Sequence, residues 1–392
     1  MRNMKNRYLI QHKNFPVASV ILDEDYDIEK IEKIHSKERL PVGLYLKQIS
    51  VKNFNGWLFG RAIPQKRIGL KQILEATKTR SNQELLIKNF GLGLTDCYWI
   101  KPENAPASWE EINFFQNAFS KDVEKIYLRE SGDDGNIDLF NNISPSNVSS
   151  GMLPKGWICK NDKRYMIKGS ELENYQEPYN EVIVSRWLDV LGIDHVDYWL
   201  KYIDKKPYSV CENMLIPGEE LISAYYVSNI LKKDNKDSFL DHYIKCCREL
   251  GLNDSIRQDL DNMILIDYIS ANTDRHWSNF GVIRDSDTLY AKKLAPIYDN
   301  GASMFAKIHY IDIKEINNNL KCQSFNSKQD ENIKLVNNFA LLGKKTVISI
   351  CDIALEEFNK NKYMDENRKR GIIAGLKRRI TMAGKKLRKK AK

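Results

Sequence analysis

The sequence predicts an α+β protein with a small sheet-containing lobe, a larger helical lobe and an N-terminal extension, and three stretches carry that expectation. Apolar-rich runs at Trp157–Lys160 and Arg164–Lys168 flank Asn161-Asp162-Lys163, turn chemistry that makes them a β-hairpin. Between Asp261 and Ser270, Met263, Ile264, Ile266 and Ile269 recur at near-helical spacing and lead into a polar loop. At the C-terminal end, Ile373, Leu376, Ile380, Ala383 and Leu387 form one apolar stripe on a basic helix. A chain of 392 residues, 42% of them hydrophobic, holds two or three domains with sizeable cores. The expected division is an α+β extension over 1–125, a sheet-containing lobe over 126–215 and a helical lobe over 216–392.

In the extension, Leu44-Tyr45-Leu46 through Val51 and then Trp57-Leu58-Phe59 read as strands, while Leu70 to Ala76 and Ser108 to Phe119 have helical spacing. The aromatic stretch from Leu92 to Trp99 reads first as core. Polar residues from Asp133 to Ser150 make the next stretch loop-rich. After the hairpin, Pro178 suits a first helical turn and Gly192 a helix end, with Ile183, Trp187, Leu188 and Leu191 as the buried face and Glu181 in the first turn. Tyr208–Met214 reads as a further strand, closed by Pro217-Gly218. Phe280–Arg284 reads as a strand returning through a turn at Asp285-Ser286-Asp287 to Thr288-Leu289-Tyr290.

The chemistry sits in Asn272-Thr273-Asp274-Arg275-His276-Trp277-Ser278-Asn279, followed by Tyr298-Asp299. A carboxylate, a carboxamide five residues on and a later carboxylate are the residue types that phosphoryl transfer from ATP needs. Its loose transition state is served by positioning and by cations aimed at the phosphoryl oxygens. Mg²⁺ takes hard oxygen ligands and keeps several waters, so Asn279 and Asp299 suffice as metal ligands when phosphates supply the rest. Asp274 then orients and deprotonates an acceptor hydroxyl. The competing reading is a polar turn after a buried helix. In kinases a Lys placed like Lys168 reaches the phosphates and pairs with a Glu of the next helix, here Glu181; a solvated strand end and helix N-terminal charge compensation are the alternatives.

The pattern Asp-x-His-x-x-Asn followed by Ala295-Pro296-x-Tyr298-Asp299 resembles the HipA-like serine/threonine kinases, and Asp-Arg-His-x-x-Asn is also similar to the loop of phosphoinositide lipid kinases. The resemblance covers about the last two thirds of the chain. It implies a two-lobed protein-kinase-like fold binding ATP and Mg²⁺. It also implies nucleotide contacts from a short phosphate loop at Ser150, Gly151, Met152, Leu153, Pro154 and Lys155, and from Lys168. Glu212, Asn213 and Met214 match the family's adenine hinge, and His276 and Tyr298 join the nucleotide-side candidates. His276 also reads as an organiser of the loop. The loop is not a G-x-G-x-x-G loop, and composition alone allows a plain linker there. The family further implies a self-phosphorylated loop serine, with Ser146, Ser149 and Ser150 nearby, and a small DNA-binding antitoxin as partner.

Composition narrows the rest. The seven Cys contain no C-x-x-C pair and several lie in apolar runs, so a reduced, cytoplasmic compartment without structural zinc is expected. The six His lack metal-ligand spacing, and neither a signal-like leader nor a membrane-length segment appears. From Arg368 onward there are twelve Lys or Arg and no acid, so the net charge of +9 resides in the tail. A basic amphipathic helix docks on nucleic acid, an anionic membrane or an acidic partner, or it packs on its own domain with a solvated basic face. A lipid kinase and an inactive, partner-binding kinase relative stay open as alternatives to a protein kinase with a Ser/Thr substrate.

Overall fold

The structure, a computed structural model, describes residues 6–44, 49–65, 70–119, 144, 155–309, 313, 320–338 and 344–390. Its fold is α+β, built of small antiparallel sheets and helices. It divides into two compact units: residues 1–168 with 212–221 and 284–289, and residues 169–211, 222–283 and 290–392. The hairpin over 155–168 groups with the N-terminal region in the first unit.

The first unit begins with a meander of β1 (Arg7–His12), β2 (Phe15–Leu22) and β3 (Ile28–Ile34). With β4 (Tyr98–Pro102) they form an antiparallel sheet of order β3-β2-β1-β4. Ile10 pairs with Ala18 on one side and Ile100 on the other, and all three are buried. The stretch read as strands around Val51 and Trp57 is instead helix α1 (Val51–Phe59). Ser50 caps it by accepting the Asn53 N–H, and Phe54, Trp57 and Leu58 bury one face at three- and four-residue steps. β-Favouring side chains there are overruled by the cap and by burial on one helical stripe. Helices α2 (Leu70–Ala76) and α3 (Asn82–Lys88) follow. The helix expected over 108–119 is confined to α4 (Trp109–Ile112). A Ser108/Glu111 capping box starts it, and extended backbone at Asn113 ends it.

Strands β5 (Lys155–Lys160) and β6 (Lys163–Lys168) make the expected hairpin. Asn161 and Asp162 both have positive φ (50° and 57°), the primed two-residue turn that matches strand twist.

In the second unit, α5 (Gln176–Leu191) starts two residues before Pro178 and ends at Gly192 in the left-handed region. A hairpin of β7 (Trp199–Ile203) and β8 (Lys206–Glu212) comes next. Strands β9 (Glu219–Ser223) and β10 (Gly281–Asp285) each have one end in either unit and lie side by side in a sheet of order β11-β10-β9. Gly281 is required there: a Cβ would stand 2.1 Å from the Ile222 carbonyl oxygen. The return strand β11 (Ala291–Leu294) starts after Tyr290 rather than at Thr288. The Asp285 side chain accepts from Asp287 N, Thr288 N and the Thr288 hydroxyl, which lengthens the turn.

Helices α6 (Ala224–Val227) and α7 (Phe239–Glu249) precede α8 (Ile256–Ser270), which begins five residues before Asp261 and is buried around much of its circumference. After α9 (Gln329–Asn332), α10 (Lys344–Asn359) and α11 (Glu366–Lys390) pack with α8 and α5. The apolar stripe of α11 is buried at Ile372, Leu376, Ile380 and Ala383, so the register is set on Ile372 rather than Ile373. Two of its arginines turn inward. Arg368 donates to Gln176 and to the carbonyls of Phe305, Ala306 and Ile308, and Arg379 stacks 4.2 Å from the Tyr268 ring. The tail is thus in large part a core helix of its own unit. No helix among the described residues is long and apolar enough to cross a membrane.

Candidate active site

Three of the predicted site residues, Asp274, Asn279 and Asp299, belong to the second unit. Helix α8 delivers the loop. Ala271 in the left-handed region stops the helix, and Asn272 folds back, donating its N–H to the Asp267 carbonyl (2.9 Å) and its amide to the Asp267 carboxylate (3.0 Å). The Asn272 side-chain oxygen accepts the Asp274 N–H (3.0 Å), which sets where Asp274 leaves the turn. Asn279 Nδ2 donates to the Asp274 carbonyl (3.0 Å), so its Oδ1 is the atom left to face a cation. Gln323 Nε2 donates to Asp274 Oδ1 (3.0 Å), leaving Oδ2 to receive a proton.

The residue that organises this loop is Arg275, 1% exposed, to which sequence reasoning gave no role. All five of its N–H bonds are used. Nε and Nη2 grip Asp267 (3.0 Å each), Nη1 donates to the carbonyls of Asn279 (2.9 Å) and Tyr298, and Nη2 also donates to Asn300 Oδ1 (2.6 Å). One guanidinium therefore joins the Asp274–Asn279 loop to the residues on both sides of Asp299. Burial pushes the Asp267 carboxyl up, against the opposing pull of Arg275 and Asn272. Burial disfavours the Arg275 cation, but Asp267 outweighs it and holds the guanidinium charged. The fork geometry of Arg makes this arrangement unavailable to Lys.

Asp299 sits at φ +60°, a left-handed conformation costly for a residue with a Cβ. Its neighbours hold it there. Glu181 accepts the Asn300 N–H (2.7 Å), and Tyr298 donates its hydroxyl to the Ser278 carbonyl (3.0 Å). Tyr298 therefore serves the loop's shape. His276 does too, its Nδ1 accepting the Ser278 N–H (3.1 Å). Glu181 lies one turn deeper in α5 than expected because the helix starts earlier. The oxygen donors of Asn279 and Asp299 suit a hard divalent cation such as Mg²⁺.

Of the nucleotide-side candidates, His276 and Tyr298 belong to the second unit and Lys155, Lys168 and Glu212–Met214 to the first. Lys168 is buried at the end of β6, and Lys155 opens β5. Glu212 ends β8 in an exposed ion pair with Lys163 (2.9 Å), and the Asn213 N–H donates to the Arg164 carbonyl (2.7 Å). Met214 follows, half-buried. Ser150, Gly151, Met152, Leu153 and Pro154 lie outside the described residues, as do Ser146 and Ser149.

Comparison with known proteins bears on the fold. HipA of Shewanella oneidensis MR-1, from a toxin–antitoxin complex with HipB and operator DNA, matches with a TM-score of 0.55 at 13% identity over 96% of each chain. The proinflammatory kinase CtkA of Helicobacter pylori matches with a TM-score of 0.46 at 18% identity, over 61% of this chain and 95% of its own. No family model and no curated protein matches the sequence. At these identities the HipA likeness shows a shared kinase-like fold.

Proposed function

We propose that this chain is an ATP- and Mg²⁺-dependent serine/threonine protein kinase of the HipA-like type, working in the cytoplasm. The observation that carries the reading is Arg275: its five hydrogen bonds hold the Asp274–Asn279 loop and the Asp299 segment in one frame. That is the preorganisation phosphoryl transfer depends on. A fold shared with HipA across 96% of both chains supports it.

Asp274 Oδ2 accepts the proton of a Ser or Thr hydroxyl while Gln323 holds Oδ1, so the acceptor oxygen is aimed as it attacks the γ-phosphorus. Asn279 Oδ1 and the Asp299 carboxylate hold Mg²⁺, which neutralises charge on the β- and γ-phosphates when bound. Lys168 and the Ser150–Lys155 stretch contact the nucleotide's phosphates, and Glu212–Met214 its adenine. A serine of 146–150 is the self-modification target. The HipA neighbour was solved with HipB and operator DNA, and a small DNA-binding protein is the proposed partner here. The 126–215 and 216–392 stretches then correspond to the two lobes of the kinase.

The test is incubation of purified protein with labelled ATP and Mg²⁺ beside Asp274→Asn and Asp299→Ala, read by mass spectrometry. Label on Ser or Thr in the wild type, reduced about 100-fold or more in both variants, is the expected result. Equal labelling in either variant, or absence of ATP binding, overturns the reading.

A further inference from the structure

We propose a second divalent-cation site, in the second unit, built from Asp189, His195 and Asp197 and suited to a transition-metal ion such as Zn²⁺ or Mn²⁺ rather than Mg²⁺. The ligand atoms of the three side chains lie within 4.8 Å of one another. His195 is the informative member. Its side chain is 7% exposed, while those of Asp189 and Asp197 are 62% and 81% exposed. Its Nδ1 lies 2.7 Å from the Ile193 carbonyl, an acceptor only, so the Nδ1 nitrogen carries a proton. Nε2 is buried, makes no hydrogen bond and lies within 3.6 Å of an oxygen of each carboxylate.

This is the arrangement of a metal-ligating histidine, in which a carbonyl fixes the ring through one nitrogen and presents the lone pair of the other. The distances agree. Nε2 stands 3.2 Å from Asp197 Oδ1 and 3.6 Å from Asp189 Oδ1. Ligands about 2.0–2.1 Å from a tetrahedral ion are separated by about 3.4 Å, between those two values. At 3.6 Å the Asp189 contact is too long for a hydrogen bond. One imidazole with two carboxylates matches the preference of borderline ions, whereas Mg²⁺ favours an all-oxygen shell. The exposed carboxylates leave the outer positions to water.

Backbone hydrogen bonds already fix the chain around the site. Gly192 turns out of α5 in the left-handed region, and the Val196 N–H donates to the Ile297 carbonyl (3.0 Å) while the Ile297 N–H donates to the Asp194 carbonyl (3.1 Å). His195 is thus clamped beside Ile297, two residues before Asp299. An ion drawing Asp189, His195 and Asp197 together would brace the segment that runs from Ile297 to Asp299, a structural action independent of nucleotide.

The experiment is Co²⁺ titration of chelator-treated full-length protein, followed by visible absorption. One equivalent should bind with the d–d bands of nitrogen and oxygen ligands and without thiolate charge transfer. Excess Mg²⁺ should not displace it. His195→Ala and Asp197→Asn should each weaken binding about tenfold or more. Asp197 is exposed enough that its variant folds even should the histidine variant not. Wild-type binding in Asp197→Asn together with a thiolate band, or no binding at millimolar Co²⁺, overturns the proposal. None of these readouts depends on phosphotransfer, so failure here and failure of the kinase reading are separable.

Discussion

Each unit buries an arginine against a carboxylate, and the two pairs are put to different use. In the first unit, Glu220 is fully buried and accepts from Arg284 Nε (2.7 Å), His12 Nε2 (2.9 Å) and the Cys97 N–H (2.8 Å). Arg39 donates to His12 Nδ1 (3.0 Å), so the ring proton on Nε2 goes to Glu220, and Arg284 also reaches the Tyr98 hydroxyl (3.0 Å). Every partner lies in or beside a strand, and the network fastens the ends of β1, β4, β9 and β10. In the second unit, Arg275 grips Asp267 in the same way but directs its remaining N–H bonds to backbone and amide oxygens beside Asn279 and Asp299. The chemistry of the pair is shared. What differs is where the remaining donors point, and that separates a fastening of the sheet from a scaffold for the proposed reacting groups.

The largest effect should come from leaving one buried charge alone. Arg284→Ala leaves the buried Glu220 without its guanidinium, held only by His12 and the Cys97 N–H, and should lower unfolding free energy in urea by about 3 kcal/mol. Replacing both Glu220 and Arg284 by Met should recover most of that loss and leave phosphotransfer near wild type, since the pair's hydrogen bonds run to His12, Cys97 and Tyr98. If the double variant is as unstable as the single one, the pair is not self-contained.

Arg275→Lys should cost about 1.5–3 kcal/mol of stability, because charge is kept but the fork is lost. It should also lower the phosphotransfer rate about 100-fold by loosening the Asp299 segment. A stability loss without a rate loss would make Arg275 equivalent to Arg284 and erase the comparison.

Acid separates the units further. Burial alone would push the Glu220 carboxyl up, but Arg284, His12 and the Cys97 N–H outweigh it and hold the carboxyl well below the ordinary range. The unfolded chain therefore binds the proton more readily. The stabilisation is present above the unfolded value of about 4.3 and is lost as pH falls below it toward the folded value. Urea midpoints measured downward from pH 5 should fall in the wild type and fall less in Glu220→Gln.

The smallest expected effect is at Gln323, which holds one oxygen of Asp274 from an exposed position. Gln323→Ala should change stability by less than about 0.5 kcal/mol. It should slow phosphotransfer only a few-fold, measured as initial rate at saturating ATP, because the Asp274 backbone is still set by Asn272 and Asn279. A loss as large as that of Arg275→Lys would move the organising role to Gln323.

Local chemistry made part of this legible. Asn161-Asp162-Lys163 reads as a hairpin turn and Gly192 as a helix end, because each depends on a few neighbouring residues. The N-terminal meander escapes the reading, and Val51 and Trp57-Leu58-Phe59 read as strand where a helix forms, because alternation and three- to four-residue spacing are hard to separate in short apolar runs. Arg275 was visible in the motif, yet its role depends on Tyr298 and Asn300, 23 and 25 residues away, and no spacing rule reaches that far.

The sequence by itself determined the order of the acids, the hairpin turns and the stripe of the last helix, all set by backbone preference and side-chain periodicity within one element. Tertiary structure alone decided that Glu220 meets Arg284 across 64 residues, that Arg368 and Arg379 turn into the core rather than toward a partner, and that Asp189, His195 and Asp197 share a corner. The reason is that a buried charge must find its complement wherever packing leaves one, and only the folded chain decides which distant groups are brought within 3 Å of it.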